Sequence, residues 1–325
     1  MIVIGREDVA AHLDYPACIA LMRDAMIALS AGRTRQLLRQ IIDLDDGNAF
    51  GVMPGAMDDL TFGAKLVSVF PGNFALGRQS HQGVVALFDP ASGEPACLVH
   101  AGEVTAIRTA AASAAATDAL ARADATRLAI LGYGEQAWRH AEAMRHVRPI
   151  GHVAVWGRSA DKARAFADRV AVELGLPAAA APDVGAAVAD ADIICATTAA
   201  GEPILFSEQV PDGAHVNLVG SSRPGPVEVD NALVVRARII ADHREGVLRQ
   251  GAEILKAIEA GLIDETHVRG EIGEVMAGML EGRTRPGDVT IYKSLGSVVQ
   301  DLAAGWHLYQ LARERGFGVE IPFAG

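Results

Sequence analysis

The sequence predicts an α/β protein of two parts: a doubly wound parallel-sheet domain, and an α+β domain in front of it. Three observations carry this. At 325 residues the chain exceeds one typical core and suffices for two. From about residue 126, short apolar strands alternate with helical stretches, the pattern of right-handed crossovers in a parallel sheet covered on both faces. Before residue 125, short apolar runs are separated by turn signals instead, which reads as a largely antiparallel or mixed sheet. The expected boundaries are 1–122 for the front domain, completed by about 300–325, and 123–299 for the parallel-sheet domain.

Taken in order, residues 7–31 read as one helix, with Val9, Leu13, Ile19, Met22, Met26 and Leu29 at helical spacing and Gly32 as its stop. Strands are expected at 50–53, 64–70, 83–88 and 96–100, between turns at 45–48, 70–73 and 89–93. The Ala-rich stretch 105–122 is a helix by propensity, leading into the second domain. There, strands at 128–131, 153–156, 192–196, 215–219 and 238–241 accompany helices at about 135–146 and 160–174, the latter stopped by Gly175. A last helix, about 297–316, is expected to pack back on the front domain.

Composition narrows the function. Half the residues are hydrophobic and 21% are charged, a globular balance. No run approaches the roughly 18 apolar residues of a membrane span, and the N-terminus lacks the pattern of a signal peptide. Three widely spaced cysteines, Cys18, Cys97 and Cys195, argue against a disulfide scaffold or a CxxC metal site and for a reducing compartment, here expected to be the cytoplasm. The net charge of −11 argues against a nucleic-acid or anionic-membrane partner. A small anionic substrate stays compatible with it, because a local pocket can be basic.

Gly132-Tyr133-Gly134-Glu135-Gln136-Ala137 fits G-x-G-x-x-G/A and stands between a strand and a helix, the context a dinucleotide site requires. Gly132 permits the tight turn, Gly134 lets a pyrophosphate approach the backbone, and Ala137 keeps helix and strand close. With Glu135 and Gln136 opening the helix, free N–H groups and positive potential face the phosphates. The domain is therefore read as Rossmann-type. At the end of its second strand an NAD site wants an acid. The chain reads Trp156-Gly157-Arg158-Ser159. A guanidinium and a hydroxyl suit a 2′-phosphate, so NADP(H) is favoured over NAD(H). Thr197 and Val219, at later strand ends, are placed to line the crevice.

Lysine is scarce. Lys65 lies inside the apolar run Gly63-Ala64-Lys65-Leu66-Val67-Ser68-Val69. A buried ammonium must meet an anion, a substrate or a cavity; the alternative is a lysine on a wet strand face. Arg108, in the first turn of the Ala-rich helix, is a large cation among small residues and can reach into a cleft or into solvent. His81 opens a strand and is either a proton donor or a capping residue. No HExxH, GxSxG, P-loop or catalytic carboxylate pair occurs, so hydrolysis and phosphoryl transfer have no anchor.

Ordered along nearly the whole chain, several segments resemble the ornithine cyclodeaminase/mu-crystallin family. They are Arg39 with Met53-Pro54, Gly63-Ala64-Lys65, His81-Gln82-Gly83 with Leu87-Phe88-Asp89-Pro90, Thr105-Ala106-Ile107-Arg108-Thr109, the Gly132 loop, Gly220-Ser221-Ser222-Arg223-Pro224 leading to Glu228, and Lys293-Ser294-Leu295-Gly296 with Gln300-Asp301-Leu302. The resemblance implies a substrate-binding and dimerisation domain, hence a homodimer, with Arg39, Lys65 and Arg108 holding a substrate carboxylate. It also implies Gln136, Thr197, Val219, Ser294 and Leu295 against the cofactor, with His81 and Thr109 near its nicotinamide end. Ornithine cyclodeaminases carry an aspartate where this chain has Ser222, and a serine cannot serve as an anionic base. The segment resembles the ketimine reductase branch, whose members use NADPH on cyclic imines.

The expected activity is an NAD(P)H-dependent reduction of small α-imino acids, Δ1-pyrroline-2-carboxylate foremost, with Lys65, His81 or a water held by Ser222 supplying the proton. The alternatives are an NAD-linked ornithine cyclodeaminase or alanine-type dehydrogenase, and a non-catalytic ligand-binding protein. No metal is expected.

Overall fold

A computed structural model describes all residues except Asp59, Arg78, Ser222, Arg223, Ala324 and Gly325. The chain forms two compact units, one of Met1–Thr109 with Ser297–Gly325 and one of Ala110–Gly296. The join falls inside the Ala-rich helix, whereas the sequence reading put it at that helix's end.

The first unit is built on a mixed sheet. Its strands are β1 (Ile2–Ile4), β2 (Thr34–Gln36), β3 (Gln40–Asp43), β4 (Ala49–Met57), β5 (Thr61–Val69), β6 (His81–Phe88) and β7 (Pro95–His100), with a short C-terminal strand Val319–Glu320. β4 to β7 form an antiparallel meander, β1 runs parallel to β7, and β2 and β3 both pair with β4. Register sets Met53, Lys65 and Val85 side by side, so the three share one face. All three are buried.

Residues 7–31 are two helices and not one: α1 (Arg6–His12) and α2 (Tyr15–Ser30). Asp14 caps α2 by accepting from the Ala17 N–H at 2.9 Å, and Pro16 fills its first turn. Both are helix-start signals lying inside a continuous apolar period. The C-terminal helix Val298–Arg315 packs against α2 and the sheet as expected. Gln300 Nε2 reaches Met26 Sδ at 3.2 Å, and Ser297 Oγ donates to Gln36 Oε1 at 2.6 Å.

α3 (Ala101–Leu120) runs through the join. It is buried nearly all round from Ala106 to Thr117, as a helix of small residues permits.

The second unit is the expected parallel α/β domain. Its strands are β8 (Arg127–Leu131), β9 (His152–Trp156), β10 (Ala178–Ala180), β11 (Ile193–Ala196), β12 (His215–Leu218), β13 (Arg238–Ala241), β14 (Val268–Glu271) and β15 (Thr290–Lys293). Their order is β10-β9-β8-β11-β12-β15-β13-β14, with every pairing parallel. From β8 the chain steps one way to β9 and β10 and then the other way to β11 and beyond, with β15 returning between β12 and β13; the reversal makes the β8/β11 junction the topological switch point. α4 (Glu135–Met144) follows β8, and α5 (Ala160–Leu174) follows β9. Among the described residues no helix is long and apolar enough to cross a membrane. Cys18, Cys97 and Cys195 are buried thiols.

Candidate functional site

In the first unit, Lys65 and Arg108 come together. Lys65 reaches the site from β5 and Arg108 from α3, and each is only 3% exposed. Both meet one carboxylate, that of Asp301 in the first turn of the C-terminal helix. Asp301 Oδ1 accepts from Lys65 Nζ at 3.1 Å and from Arg108 Nε at 3.0 Å. Lys65 Nζ also donates to Thr105 Oγ1 at 2.6 Å, and Arg108 Nη1 donates to Gln300 Oε1 at 2.5 Å. The anion that a buried lysine demands is thus supplied, in part, by the chain itself.

Among the described residues, two cations against one anion leave an uncompensated positive charge. Arg39, half-buried between β2 and β3, adds a third cation whose field acts on Lys65 and on His81. Burial, opposed by Asp301 and assisted by Arg108 and Arg39, lowers Lys65 to about 8. His81 stands at the start of β6, its Nδ1 2.9 Å from Ser80 Oγ. Surrounding protein, then the charges of Lys65, Arg39 and Arg108, pushes it down to about 4. The residue is exposed, so the three cations are the firmer cause. His81 is therefore neutral at pH 7, and any proton it gives comes from an imidazole and not an imidazolium. Thr109 is buried one position beyond Arg108.

In the second unit the glycine loop closes the switch point. Gly132 has φ +123°, and a Cβ there would stand 3.0 Å from the Thr197 carbonyl oxygen. A Cβ on Gly134, which precedes α4, would meet nothing within 4 Å, so the backbone is open to a ligand on that side. Glu135 is exposed at the start of α4, and Gln136 Oε1 is buried without a hydrogen-bond partner. Thr197 donates through both its N–H and its hydroxyl to the Leu131 carbonyl, each at 3.0 Å. The Val219 N–H, just past β12, bonds the Ala196 carbonyl at 3.0 Å.

After β9, Arg158 is exposed, while Ser159 Oγ caps α5 by accepting from the Lys162 N–H at 3.4 Å. The Ser159 oxygen thus has a structural role, and its hydroxyl hydrogen remains a donor. Asp161, the nearest acid, pairs with Arg164 at 3.2 Å. The Lys162 ammonium stands 6.0 Å from the centre of the Tyr133 ring, a second cation beside the glycine loop that sequence reading did not single out. Ser222 lies outside the described residues.

Three buried carboxylates hold the strand ends. Glu228 accepts from Thr198 N–H at 2.7 Å, Thr198 Oγ1 at 2.6 Å and Gly220 N–H at 2.8 Å. Asp242 accepts from the Leu295 and Gly296 N–H groups at 2.7 and 2.6 Å, which fixes the turn after Ser294. Glu253 pairs with the fully buried Lys293 at 2.8 Å, and Lys293 Nζ also donates to the Ser221 carbonyl at 2.6 Å. Burial raises Glu228 and Asp242 above the usual carboxylate range against these donors. Ser294 Oγ is buried with no hydrogen-bond partner.

A family model described as the ornithine cyclodeaminase/mu-crystallin family matches residues 1–316. The chain is 34% identical to Delta(1)-pyrroline-2-carboxylate reductase of Bacillus cereus, over 99% of this chain and 100% of that protein. It is 34% identical to ketimine reductase mu-crystallin of Mus musculus, over 94% of this chain and 96% of that protein. The structure of Thermococcus litoralis Delta(1)-pyrroline-2-carboxylate reductase in complex with NADH and L-proline aligns with a TM-score of 0.95 at 30% identity, covering 99% of this chain and 100% of that one.

Proposed function

The chain belongs to the ornithine cyclodeaminase/mu-crystallin family, and from that membership we propose that it is a nicotinamide-dependent reductase of small α-imino acids. Δ1-pyrroline-2-carboxylate is the first substrate to test. The observation that carries this reading is the meeting of Lys65 and Arg108 on Asp301, with Arg39 adding to the field. That cluster retains excess positive charge and unused N–H donors, which suits a substrate carboxylate. The relatives named for ketimine and pyrroline-2-carboxylate reduction support it.

The glycine loop suits a dinucleotide on its own geometry. A positive-φ Gly132, an open Gly134 and buried, unpartnered oxygens on Gln136 and Ser294 leave room and hydrogen-bonding capacity for one. When bound, the nicotinamide supplies the reducing equivalent. Gly132, Gly134, Glu135 and Gln136 would hold the pyrophosphate end, and Thr197, Val219, Ser294 and Leu295 the rest, with Thr109 and His81 toward the nicotinamide. Arg158 and Lys162 favour the 2′-phosphate of NADP(H), and Asp161, paired with Arg164, does not oppose it. The Thermococcus structure contains NADH, so both cofactors belong in the assay.

In the proposed reaction Arg39, Lys65 and Arg108 anchor the carboxylate and so orient the C=N carbon. The imine nitrogen must be protonated for the C=N carbon to accept the reducing equivalent. Lys65, titrating near 8, is a better acid near neutrality than His81 at about 4. A homodimer is part of the proposal: the segment bearing Arg39 exposes Leu37, Ile41, Ile42 and Leu44, more apolar surface than one short edge segment needs in a monomer.

The test is oxidation of NADPH and NADH with cyclic imino acids, keto acids plus amines, and ornithine. Reduction of a cyclic imino acid is expected. Proline formation from ornithine with NAD would instead establish the cyclodeaminase reading. Lys65→Ala is expected to abolish turnover while cofactor binding survives, and turnover like that of the native protein would remove the anchor.

A further inference from the structure

Asp301 has no exposed surface and lies 236 residues from Lys65 and 193 from Arg108 in sequence. One oxygen, Oδ1, bonds both cations, while Oδ2 is buried with no hydrogen-bond partner. A purely structural buried ion cluster balances its charges, because an unpaired buried charge costs several kcal/mol. Here two cations share one carboxylate. Lys65 uses two of its three donors, on Asp301 and Thr105, and Arg108 uses two of its five, on Asp301 and Gln300. One N–H on Lys65 and three on Arg108 are left for another acceptor. The arrangement holds the two heads in a fixed relation without neutralising them.

We infer that Asp301 is a positioning residue of the carboxylate anchor: its Oδ1 fixes the Lys65 and Arg108 heads and keeps the Lys65 ammonium charged before substrate arrives. This rests on the proposed imino-acid reading for its substrate, and on the cluster alone for its charge.

Among the described residues, the charged and titratable groups around Lys65 are Asp301 from the C-terminal helix, Arg108 from α3, Arg39 from the β2–β3 connection and His81 from β6. Cys18 of α2 faces Arg108. Burial and the two arginines lower Lys65, and Asp301 is the neighbour that raises it. Burial pushes the Cys18 thiol up, and His81 stands at about 4, so neither carries charge at pH 7. Among the described residues, removing the Asp301 charge leaves no neighbouring anion to oppose the loss of the Lys65 proton.

The chain has four lysines, so protein labelled with 15N at lysine Nζ gives few enough resonances to assign Lys65 through Lys65→Arg. The Lys65 signal is followed from pH 6 to 10 in the native protein, Asp301→Asn and Asp301→Glu. Asp301→Asn is expected to lower the Lys65 midpoint by at least about one pH unit, and Asp301→Glu to restore most of it. For an imino acid that the native protein reduces, Asp301→Asn is expected to raise KM about tenfold at pH 8, with cofactor affinity, read by protein fluorescence, within about twofold of native. An unchanged Lys65 midpoint in folded Asp301→Asn would overturn the inference. If that variant does not fold, Asp301→Ser takes its place, and an unchanged Lys65 midpoint there overturns the inference equally. Should no imino acid be reduced, the functional reading fails, while the NMR titration still decides the role of Asp301.

Discussion

Lys293 shows at the residue scale how a charge survives with no exposed surface. Its ammonium, 2.8 Å from Glu253 and bonded to the Ser221 carbonyl, replaces its lost water with protein partners. Removing one member leaves the other charged and uncompensated. Lys293→Met is therefore expected to cost about 3–5 kcal/mol in urea denaturation, with Lys293→Met/Glu253→Gln recovering much of it. A loss below about 1 kcal/mol would show that the pair is not what holds this region. The same physics decides what the sequence could disclose. Lys65 stood out because an ammonium in an apolar strand is costly. Asp301, its partner, did not, because an acid in a first helical turn is what the helix N-terminus favours in any case. Lys293 ends a strand of four residues, too short for period 2 to register, and so was noticed only through resemblance. Arg39, on an irregular segment, had no signal except resemblance.

At the scale of elements, the strand–glycine loop–helix of β8 and α4 was legible because each part has a composition cue and the cues agree. Its geometry makes a sharp prediction. Gly132 at φ +123° packs against the Thr197 carbonyl at the switch point. Gly132→Ala is expected to weaken NADPH binding at least about tenfold in a fluorescence titration, with the circular dichroism of the native protein retained. Native-like affinity would remove the loop from the binding site. The elements that escaped the reading are those whose local signal points elsewhere. β10 is Ala178-Ala179-Ala180, a helix former by propensity that becomes a strand by pairing with β9. The break between α1 and α2 was hidden because the apolar period continues across it, although Asp14 and Pro16 mark it. The four-strand meander and five of the parallel strands carried enough apolar alternation or continuity to be read directly.

For the whole molecule, pH acts through groups that burial has moved in opposite directions. His140 and His215 are fully buried, and burial pushes them down to about 4 and about 3. Between those values and the ordinary 6.5 the unfolded chain binds more protons, so stability falls as pH drops through that window. Glu228 and Asp242, raised by burial, run the other way: their contribution is present at low pH and is lost as pH rises through their folded values. Each of those carboxylates keeps hydrogen-bond donors that suit its ionised form, whereas among the described residues no anion stands beside an imidazolium at His140 or His215. The histidines therefore dominate, at about 2 kcal/mol each by pH 5, and urea denaturation is expected to show a lower stability at pH 5.0 than at pH 7.5. Above neutrality the role proposed for Lys65 separates fold from function. Its pKa in the folded protein, about 8 against an ordinary 10.5, means that stability rises with pH between those values while the anchor loses a positive charge. KM for an anionic imino acid is expected to climb above pH 8, with cofactor affinity unchanged and the urea midpoint level or higher. A loss of cofactor affinity and of the urea midpoint alongside the rise in KM would mean that alkaline pH loosens the whole protein, and that the Lys65 proton is not what the substrate feels.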